Sequence, residues 1–515
     1  MEASQASKIV DLTERTTRFK HQVIVITGKR QDEITSEAWD AIVGASENPG
    51  QYAFSTGCLF MREGRLVFLD PTASLPQIKP ATRTMMFTLA NQAIEWQVEA
   101  RKENRVSQQP QWLSSVLLES PRHDLPELRR VASMPFFDRS GRYIHQDGYD
   151  KDSAIWLAKS GLSSCGVPLK VKDQQVREAV AFFADDLLVN FPFATPSDRA
   201  NAIAQFITPV VGEMIQGPKM AACVEAPVPG SGKSKFAANL LGIFSTGAPF
   251  RVTPMDKKES EIRKTITASL IAGDPVLLYD NVAGFVNSPA LAAVLSATKW
   301  SDRVLGGSVM VTLPITAQII LTGNNIKMSG ELADRMLRIR LVPNTQHPRQ
   351  RKPETFKHPD IDGWLADHRD QAVHNIAILI QNWITKGCNY SGPVQGTFES
   401  YCHVVGGVLE SAGINGFLEN RDEFATQAAT SENEYSMLVD AWLERHGQNE
   451  VTANQLNVIC EDLEILTYLR GKDRQVSSLS RFMSTNLRER VFNKHMIILV
   501  QKPAGTANRF RLHYV

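Results

Sequence analysis

The 515-residue sequence has no long apolar run and no paired cysteines. No stretch approaches the roughly 18 consecutive apolar residues that a membrane-spanning helix needs. The first residues also lack the basic and then apolar pattern of a signal peptide. The six cysteines are scattered without a C-x-x-C pair, which favours reduced thiols over a disulfide framework or a zinc site. We therefore expect a cytoplasmic protein with no membrane association.

Overall charge does not identify a partner, because the formal net charge is only +1. Hydrophobic residues make up 43% of the chain and charged residues 22%, which is ordinary for a globular protein. A chain of this length exceeds what one hydrophobic core organises, so about two to four domains are expected. Internal repeats and low-complexity segments are absent from the sequence.

The most informative motif is a glycine-rich stretch, Ala226-Pro-Val-Pro-Gly-Ser-Gly-Lys-Ser234. It follows the apolar run Met220 to Val224 and precedes Lys235 to Phe244, which has helical spacing. A strand, a glycine turn and a helix N-terminus together form a cradle whose backbone N–H groups bind phosphate. A chance glycine turn is the alternative, and the downstream pattern argues against it.

We assign the ATP-binding role to six consecutive residues: Pro229, Gly230, Ser231, Gly232, Lys233 and Ser234. In this motif the lysine reaches the β- and γ-phosphates and the following hydroxyl holds Mg²⁺. Pro227 replaces the usual first glycine, at a position that shapes the entry to the loop rather than contacting phosphate.

Two later apolar runs end in polar side chains. The segment Pro275 to Asn281 predicts a buried parallel strand that places Asp280 at its carboxyl end, where such sheets bind ligands. We interpret Asp280 as the acid that binds Mg²⁺ through water. The run Ile315 to Thr322 predicts a second buried strand, followed by Asn324, whose amide can bond the attacking water or the γ-phosphate.

A predicted hairpin, Trp300 to Thr312 with its turn at Gly306-Gly307, lies between these strands, and Arg335 follows them. This order resembles AAA+ helicases with a hairpin before sensor 1, including the superfamily 3 and MCM helicases. More narrowly it resembles replication helicases of phage satellites, staphylococcal cassette elements and related phage or plasmid primase-helicases. The segments that carry this resemblance are Ala226–Ser234, Leu277–Val282, Trp300–Gly306, Leu321–Asn325 and Glu331–Leu337.

The resemblance implies roles for further residues. Arg335 would be an arginine finger acting on nucleotide bound by the neighbouring subunit, which implies a ring, a hexamer in this family. The hairpin would enter the ring pore, where Lys299 and Arg303 contact single-stranded DNA, with translocation from 3′ to 5′. The alternatives are a surface cation for Arg335 and a structural ion pair for Arg303.

One residue departs from the pattern of many such ATPases. Asn281 follows Asp280 where a glutamate usually polarises water, although similar helicases also carry Asp-Asn. Water activation would then involve Asn281 together with another acid, and Glu259 and Glu261 are both candidates.

The segment before the nucleotide-binding part, residues 1–173, predicts a small α+β module. It contains a hairpin from Cys58 to Asp70 that turns at Glu63-Gly64, and a helix from Arg83 to Gln97. DNA binding and a structural or oligomerising collar are both open as its role. The acids between Gln146 and Asp152 do not match an EF-hand, so we interpret them as turn formers.

Beyond the ATPase core, residues 346–430 predict a helical lid. The polar segment Ala425 to Asn433 is expected to be a linker to the C-terminal domain. Residues 431–515 predict three helices and two strands, the order of a winged helix. From residue 465 onward ten basic residues face two acidic ones, which favours phosphate contacts. Ser478 to Arg490 would be the recognition helix in the major groove, with Arg481, Arg488 and Arg490 as duplex-binding residues. A winged helix used for protein contacts is the alternative.

The predicted fold class is an α/β P-loop AAA+ core at 174–345 with a helical lid, an α+β N-terminal module and a C-terminal winged helix. The leading hypothesis is an ATP- and Mg²⁺-dependent, ring-forming DNA helicase that acts in replication initiation of a mobile genetic element. One alternative is an AAA+ remodeller or switch that assembles on DNA without unwinding it, and another is a nucleotide-dependent protein of phage defence. Primase activity is not supported, because the N-terminal module has no Cys/His zinc motif.

Overall fold

The computed structural model describes residues 22–47, 58–69, 76–101, 103–122, 124–159, 161–162, 166–303, 310–345, 347–466, 475–492, 494–500 and 508–515. The chain divides into two compact units. The first comprises Met1–Val131 and Gly148–Lys159, and the second comprises Ala132–Asp147 and Ser160–Val515.

Short strands and helices alternate through the first 160 residues. In chain order they are β1 Gln22–Val25, α1 Gln31–Glu47, β2 Cys58–Arg62, β3 Arg65–Leu69, β4 Ile78–Pro80, α2 Arg83–Ala93, β5 Ile94–Val98, β6 Arg105–Val106, α3 Leu113–Glu119, β7 Arg130–Ala132, β8 Phe136–Phe137, β9 Tyr143–Ile144, β10 Gly148–Asp150 and β11 Ile155–Leu157. In the first unit, two small sheets have the orders β1-β5-β6 and β2-β3-β4. This is the α+β composition that the sequence predicts.

The predicted hairpin of this unit is confirmed and the predicted helix is too long. Strands β2 and β3 pair antiparallel around Glu63 and Gly64, which have φ of +47° and +73°, as a tight hairpin turn requires. Helix α2 ends at Ala93, and Ile94 begins β5, which pairs parallel with β1. The helical prediction fails there because Ile94 and Trp96 alternate toward the core as strand residues do.

Helices surround one larger sheet in the second unit. Its elements up to the last sheet strand are α4 Asp173–Ala181, a π-helical turn Phe182–Leu187, α5 Pro196–Val211, β12 Ala221–Ala226, a π-helical turn Lys235–Leu240, α6 Leu241–Thr246, β13 Val252–Thr253, α7 Glu259–Ala272, β14 Val276–Val282, β15 Phe285–Val286, α8 Pro289–Ser296, β16 Lys299–Arg303, β17 Met310–Pro314, β18 Gln318–Asn324, β19 Lys327–Met328, α9 Gly330–Ala333 and β20 Met336–Arg340. Helix α5 is capped by the Thr195 hydroxyl, which accepts from the Asp198 N–H at 3.2 Å.

The central sheet has five parallel strands in the order β13-β14-β18-β12-β20. Successive residues of each strand face opposite sides, and both sides are covered. Val224, Leu278 and Ile320 pack into a core with α5, α6 and the helices after residue 360. On the other side, Tyr279 and Leu321 pack with α7 and α8. Burial on both faces is why these strands are nearly continuous apolar runs.

The boundary between the two units differs from the one predicted at residue 173. Met134, Phe137 and Leu162 are buried in the same core as α4 and α5, so residues 132–147 and 160–172 belong with the central sheet. Side-chain burial of this kind depends on partners far along the chain, and the turn-rich composition of the segment did not indicate it.

The remaining chain is mostly helical and ends in a small antiparallel sheet. Its elements are the 3₁₀ turns Pro348–Gln350 and Pro353–Thr355, α10 Ile361–Asp367, α11 Arg369–Thr385, a 3₁₀ turn Gly396–Phe398, α12 Glu399–Tyr401, a π-helical turn Cys402–Gly406, α13 Gly407–Ser411, α14 Arg421–His446, β21 Val451–Thr452, α15 Ala453–Asp462, α16 Gln475–Phe482, a π-helical turn Met483–Leu487, β22 Val491–Phe492, β23 His495–Val500 and β24 Arg509–Tyr514.

The predicted linker from Ala425 to Asn433 is wrong, because these residues lie inside the 26-residue helix α14. Phe424 and Ala428 are buried against the β14 side of the central sheet. Arg338 of β20 also donates to Gln427, and its guanidinium lies 5.0 Å from the centre of the Phe424 ring. These tertiary contacts stabilise a helical segment that its polar composition alone does not predict to be helical.

The last three helices and four strands of the described residues share one core. The sheet order is β21-β24-β23-β22, and α14, α15 and α16 contribute Trp442, Leu456 and Leu479 to the buried cluster. The helix predicted from Ser478 to Arg490 instead runs from Gln475 to Leu487, including its π-helical turn. The predicted turn at Gly306-Gly307, most of the loop before Asn508, and the basic residues Arg470, Lys472, Arg474 and Lys502 lie outside the described residues.

Among the described helices, none combines the length and apolarity that crossing a bilayer requires.

Candidate nucleotide site

The glycine-rich loop follows β12 at the carboxyl edge of the central sheet. Gly230 and Gly232 have φ of +84° and +97°, a left-handed backbone region that side chains disfavour. The Ser231 hydroxyl donates to the Val228 carbonyl at 2.7 Å and closes the loop on itself. A Cβ at Gly232 would lie 3.3 Å from the Phe191 ring, so the loop backbone packs closely on the preceding segment.

Lys233 reaches across to the neighbouring strand. Its Nζ donates to Asn324 Oδ1 at 2.7 Å. The two residues meet because β12 and β18 pair in parallel, with Ala226 opposite Asn324. Burial lowers the pKa of Lys233; Asp280 acts to raise it, and the positive charge of Arg349 acts to lower it further.

Asp280 is held by two hydroxyls. Ser234 Oγ donates to Asp280 Oδ1 at 3.1 Å, and the Thr322 hydroxyl donates to the same oxygen. Thr322 Oγ1 in turn accepts from the Asn281 N–H at 3.2 Å. The carboxylate is therefore fixed between the phosphate-binding loop and β18.

Asn281 leaves the regular strand. Its φ is +55°, and the register between β14 and β18 shifts between Tyr279 and Val282. A bulge at this position turns the exposed Asn281 side chain away from its regular strand orientation. The predicted residues Lys233, Ser234, Asp280, Asn281 and Asn324 thus all lie at one edge of the sheet.

The oxygen ligands at this edge fit a magnesium ion. Ser234 and Asp280 offer a hydroxyl and a carboxylate within 3.1 Å of each other. Mg²⁺ prefers oxygen ligands and is usually bound by one or two protein groups together with phosphate oxygens and waters. These two side chains would hold it once a nucleotide supplies its phosphates.

Neither candidate for the water-activating acid joins this group. Glu259 Oε1 accepts from the Ala290 N–H at 2.5 Å, at the start of α8. Glu261 pairs with Lys264 at 2.6 Å on the surface of α7. Among the described residues, no hydrogen bond links either carboxylate to Asp280 or Asn281. Their contacts are those of a helix cap and a surface ion pair.

Arg335 lies at the opposite end of the sheet from the loop. Its carbonyl accepts from the Ala221 N–H at 3.0 Å, at the beginning of β12, whereas the loop follows the end of that strand. Six strand residues span roughly 17–20 Å. The guanidinium donates to Ser296 Oγ at 2.6 Å and pairs with Glu331 at 3.2 Å, and 23% of the side chain is exposed. Arg335 therefore does not reach the loop of its own subunit.

The hairpin formed by β16 and β17 is anchored on α7. Arg263 and Thr267 donate to the Asp302 carboxylate at 2.6 and 3.0 Å. Burial acts to raise the pKa of Asp302, but hydrogen bonds from the Arg303 N–H, Arg263 and Thr267 outweigh it, and the net pKa is lowered. Along β16 the inward residues alternate with exposed ones, so Lys299 and Arg303 lie on the outer face.

The three arginines proposed for duplex contacts differ in their surroundings. Arg481 is exposed on α16, and Arg488 pairs with Glu489 at 3.0 Å. Arg490 instead donates to the Asn287 carbonyl at 3.2 Å, and burial lowers its pKa. Arg490 therefore packs against the segment that follows β14 and has a hydrogen-bond partner within the chain.

Two residues near the site, Thr322 and Arg349, were not predicted from the sequence. Thr322 carried a signal, since it is a polar residue near the end of an otherwise apolar strand. Arg349 carried none, because it belongs to no recognisable motif and approaches the loop only through the fold.

A parallel sheet with a glycine-rich loop, a carboxylate and an amide at its carboxyl edge is typical of P-loop nucleotide-binding proteins. No family model and no curated protein matches the chain. Among solved structures, the apo C-terminal region of phage NrS-1 is 10% identical over 88% of this chain and 96% of that one, with a TM-score of 0.29. A JC virus helicase with a bound thiazolopyridine compound is 13% identical over 52% of this chain and 71% of that one, with a TM-score of 0.21. Both scores are too low to establish a shared fold.

Proposed function

We propose that this protein is a Mg²⁺-dependent ATPase that unwinds DNA. The observation that carries the proposal is the convergence of Lys233, Ser234, Asp280 and Asn324 at one edge of the sheet, joined by hydrogen bonds of 2.7 and 3.1 Å. A lysine, a hydroxyl, a carboxylate and an amide are the groups that ATP hydrolysis on a P-loop requires.

Each of these groups has a distinct task. Lys233 leaves Asn324 to contact the β- and γ-phosphates, which frees the amide to orient the attacking water. Asp280, held by Thr322, and Ser234 provide the oxygen ligands for Mg²⁺. The metal neutralises developing negative charge on the phosphates when it is bound. Asn281, which is exposed beside them, would contact the same water.

Hydrolysis in this proposal requires a second subunit. Arg335 lies far from the loop of its own chain, so it serves as the finger for nucleotide bound by a neighbour. Repeating that contact around a closed set of subunits generates a ring, which we propose is a hexamer. Residues 346–430 act as its lid.

DNA contacts complete the proposed activity. Lys299 and Arg303, on the outer face of the anchored hairpin, contact one strand in the pore, and Arg481 and Arg488 of a winged helix at 431–515 contact duplex DNA. The order of motifs resembles that of replication helicases of mobile elements. It supports a role in replication initiation and movement from 3′ to 5′.

Unwinding of forked DNA tests this proposal. We expect ATP-dependent separation of forks that carry a 3′ tail, and no separation by Lys233→Ala, which loses the phosphate contact. Lys258→Ala, an exposed lysine at the start of α7, is the matched control and should unwind like the wild type. ATP hydrolysis stimulated by DNA without strand separation would contradict the helicase and favour a DNA-bound switch.

A further inference from the structure

Arg349 touches the phosphate-binding loop of its own chain. It lies on the 3₁₀ turn Pro348–Gln350, a few residues after β20. A Cβ at Gly230 would be 2.3 Å from Arg349 Cγ and 3.3 Å from its backbone nitrogen. The loop therefore needs glycine at this position both for its φ of +84° and for the space that Arg349 occupies.

The position of Arg349 is fixed by its backbone. Pro348 is buried, and the Gln350 N–H donates to the His347 carbonyl at 3.0 Å, which closes the turn. The first methylene groups of the arginine pack on the loop, while the side chain as a whole is exposed. A long side chain fixed at its base can turn its guanidinium toward a ligand at small entropic cost.

The positively charged side chains of Arg349 and Lys233 therefore both lie beside the phosphate-binding loop. Burial lowers the pKa of Lys233, and the nearby positive charge of Arg349 acts in the same direction. Asp280 is the acid that opposes them there. An anion bound between the two cations would convert their repulsion into attraction for the ligand.

We propose that Arg349 binds the phosphate chain of a nucleoside triphosphate held by its own subunit, as a second cation beside Lys233. Guanidinium groups match two phosphate oxygens with two parallel hydrogen bonds. Arg349 would thus act within one chain, whereas Arg335 acts on the neighbouring one. This inference rests on the proposed nucleotide site, and the two can fail separately.

Arg351 provides a matched control two residues away. Its guanidinium lies 4.4 Å from the centre of the Phe356 ring, so it is engaged elsewhere in the same segment. Replacing either arginine removes one charge from the same stretch of chain. A difference in ATP affinity between Arg349→Ala and Arg351→Ala would therefore reflect where the arginine lies and not the loss of one positive charge.

Equilibrium titration with a fluorescent ATP analogue and Mg²⁺ tests the assignment. We expect Arg349→Ala to bind about 10- to 100-fold more weakly than the wild type, as loss of a charge-assisted hydrogen bond predicts. Arg349→Lys should keep part of the affinity, because it retains the charge without the fork. Arg351→Ala should bind normally. Competition by ADP and AMP should show a smaller effect of Arg349→Ala as the phosphate chain shortens.

The possible outcomes distinguish failure of the proposed function from failure of the role assigned to Arg349. If the wild type does not bind ATP, the proposed function itself is wrong. If the wild type binds ATP and Arg349→Ala binds it as tightly as Arg351→Ala, only the role of Arg349 is wrong. An equal loss of affinity for ATP and AMP would also overturn the role, because it would place the contact away from the distal phosphates. The thermal unfolding temperatures of Arg349→Lys and Arg349→Ala, compared with the wild type, distinguish a lost contact from a misfolded chain. Loss of the contact alone leaves the unfolding temperature unchanged.

Discussion

The Thr322 hydroxyl determines how Asp280 is presented at the edge of the sheet. It donates to the carboxylate and accepts from the Asn281 N–H, so one side chain fixes the residues on both sides of the bulge. Thr322 is only 1% exposed, and its bonds are therefore little disturbed by water. A carboxylate oriented in advance loses less entropy when it binds a metal or a water molecule.

Replacing Thr322 by valine should slow hydrolysis without preventing nucleotide binding. Valine keeps the branched shape but removes the hydroxyl, so Asp280 loses one of its two hydroxyl donors. We expect kcat for ATP to fall on the order of tenfold, because roughly 1–1.5 kcal/mol of orientation is lost. Steady-state kinetics and ATP titration measure the two effects separately.

The control for that experiment is Thr385→Val, since the Thr385 hydroxyl donates to the Gln381 carbonyl at the end of α11, within the same unit. It should leave both kcat and affinity unchanged. An unaltered kcat in Thr322→Val would mean that Ser234 alone orients Asp280.

The residues of the site were predictable from sequence where they follow strands in a motif. Lys233, Ser234, Asp280 and Asn324 meet as expected, because parallel strands end at the same edge. Arg349 and the role of Thr322 were not predictable, since they depend on which strands are neighbours and on where the chain returns after β20. The contact of Arg490 was not predictable for the same reason, because its partner, Asn287, is about two hundred residues away in sequence.

At the scale of elements, the last helices and the small C-terminal sheet pack directly against the elements that follow strands β14 and β18. Phe285 of β15 is 1% exposed, and its ring lies 5.1 Å from Tyr435 and 5.8 Å from Phe492. Strand β15 follows β14 closely and pairs with β19, which follows β18. The two strands that carry Asp280 and Asn324 therefore lead directly into a pair of strands that supports the C-terminal core.

Phe285→Ala should loosen that C-terminal core. Removal of a fully buried phenylalanine ring costs about 3–5 kcal/mol. We expect faster hydrogen exchange throughout α14, α15 and α16, with the first unit unaffected. Phe87→Ala is the control, because Phe87 is 49% exposed on α2 and its loss should change exchange little. Unchanged exchange in α15 and α16 would mean that the C-terminal core is stable without this ring.

The length of α14 illustrates why the elements were only partly predictable. Its segment from Ala425 to Asn433 is polar, and the sequence offers no glycine or proline to mark a helix or its end there. The few apolar positions, Phe424, Ala428 and Tyr435, fall on one face and pack on two different cores. Helix α7 differs from α14 because its end is marked locally, by Gly273 with φ of +71°.

At the scale of the whole molecule, the position of Arg335 decides how the proposed enzyme operates. It lies at the start of β12 and β20, whereas the phosphate-binding loop lies at the end of β12. Under the proposed function, the nucleotide site of a single chain therefore lacks a finger residue, and Arg335 of the same chain cannot supply it. An assembly in which the subunits follow one another head to tail brings the two together.

Mixing two inactive variants tests this central claim most directly. Lys233→Ala lacks the phosphate contact, and Arg335→Ala lacks the finger, so each should hydrolyse ATP at a negligible rate when alone. In mixed assemblies, the intact loop of the Arg335 variant meets the intact finger of the Lys233 variant. We predict that a one-to-one mixture recovers up to about a quarter of the wild-type rate, because that share of randomly formed interfaces is complete. Full wild-type hydrolysis by Arg335→Ala alone, or a mixture no more active than its components, would contradict a nucleotide site completed by the neighbouring subunit.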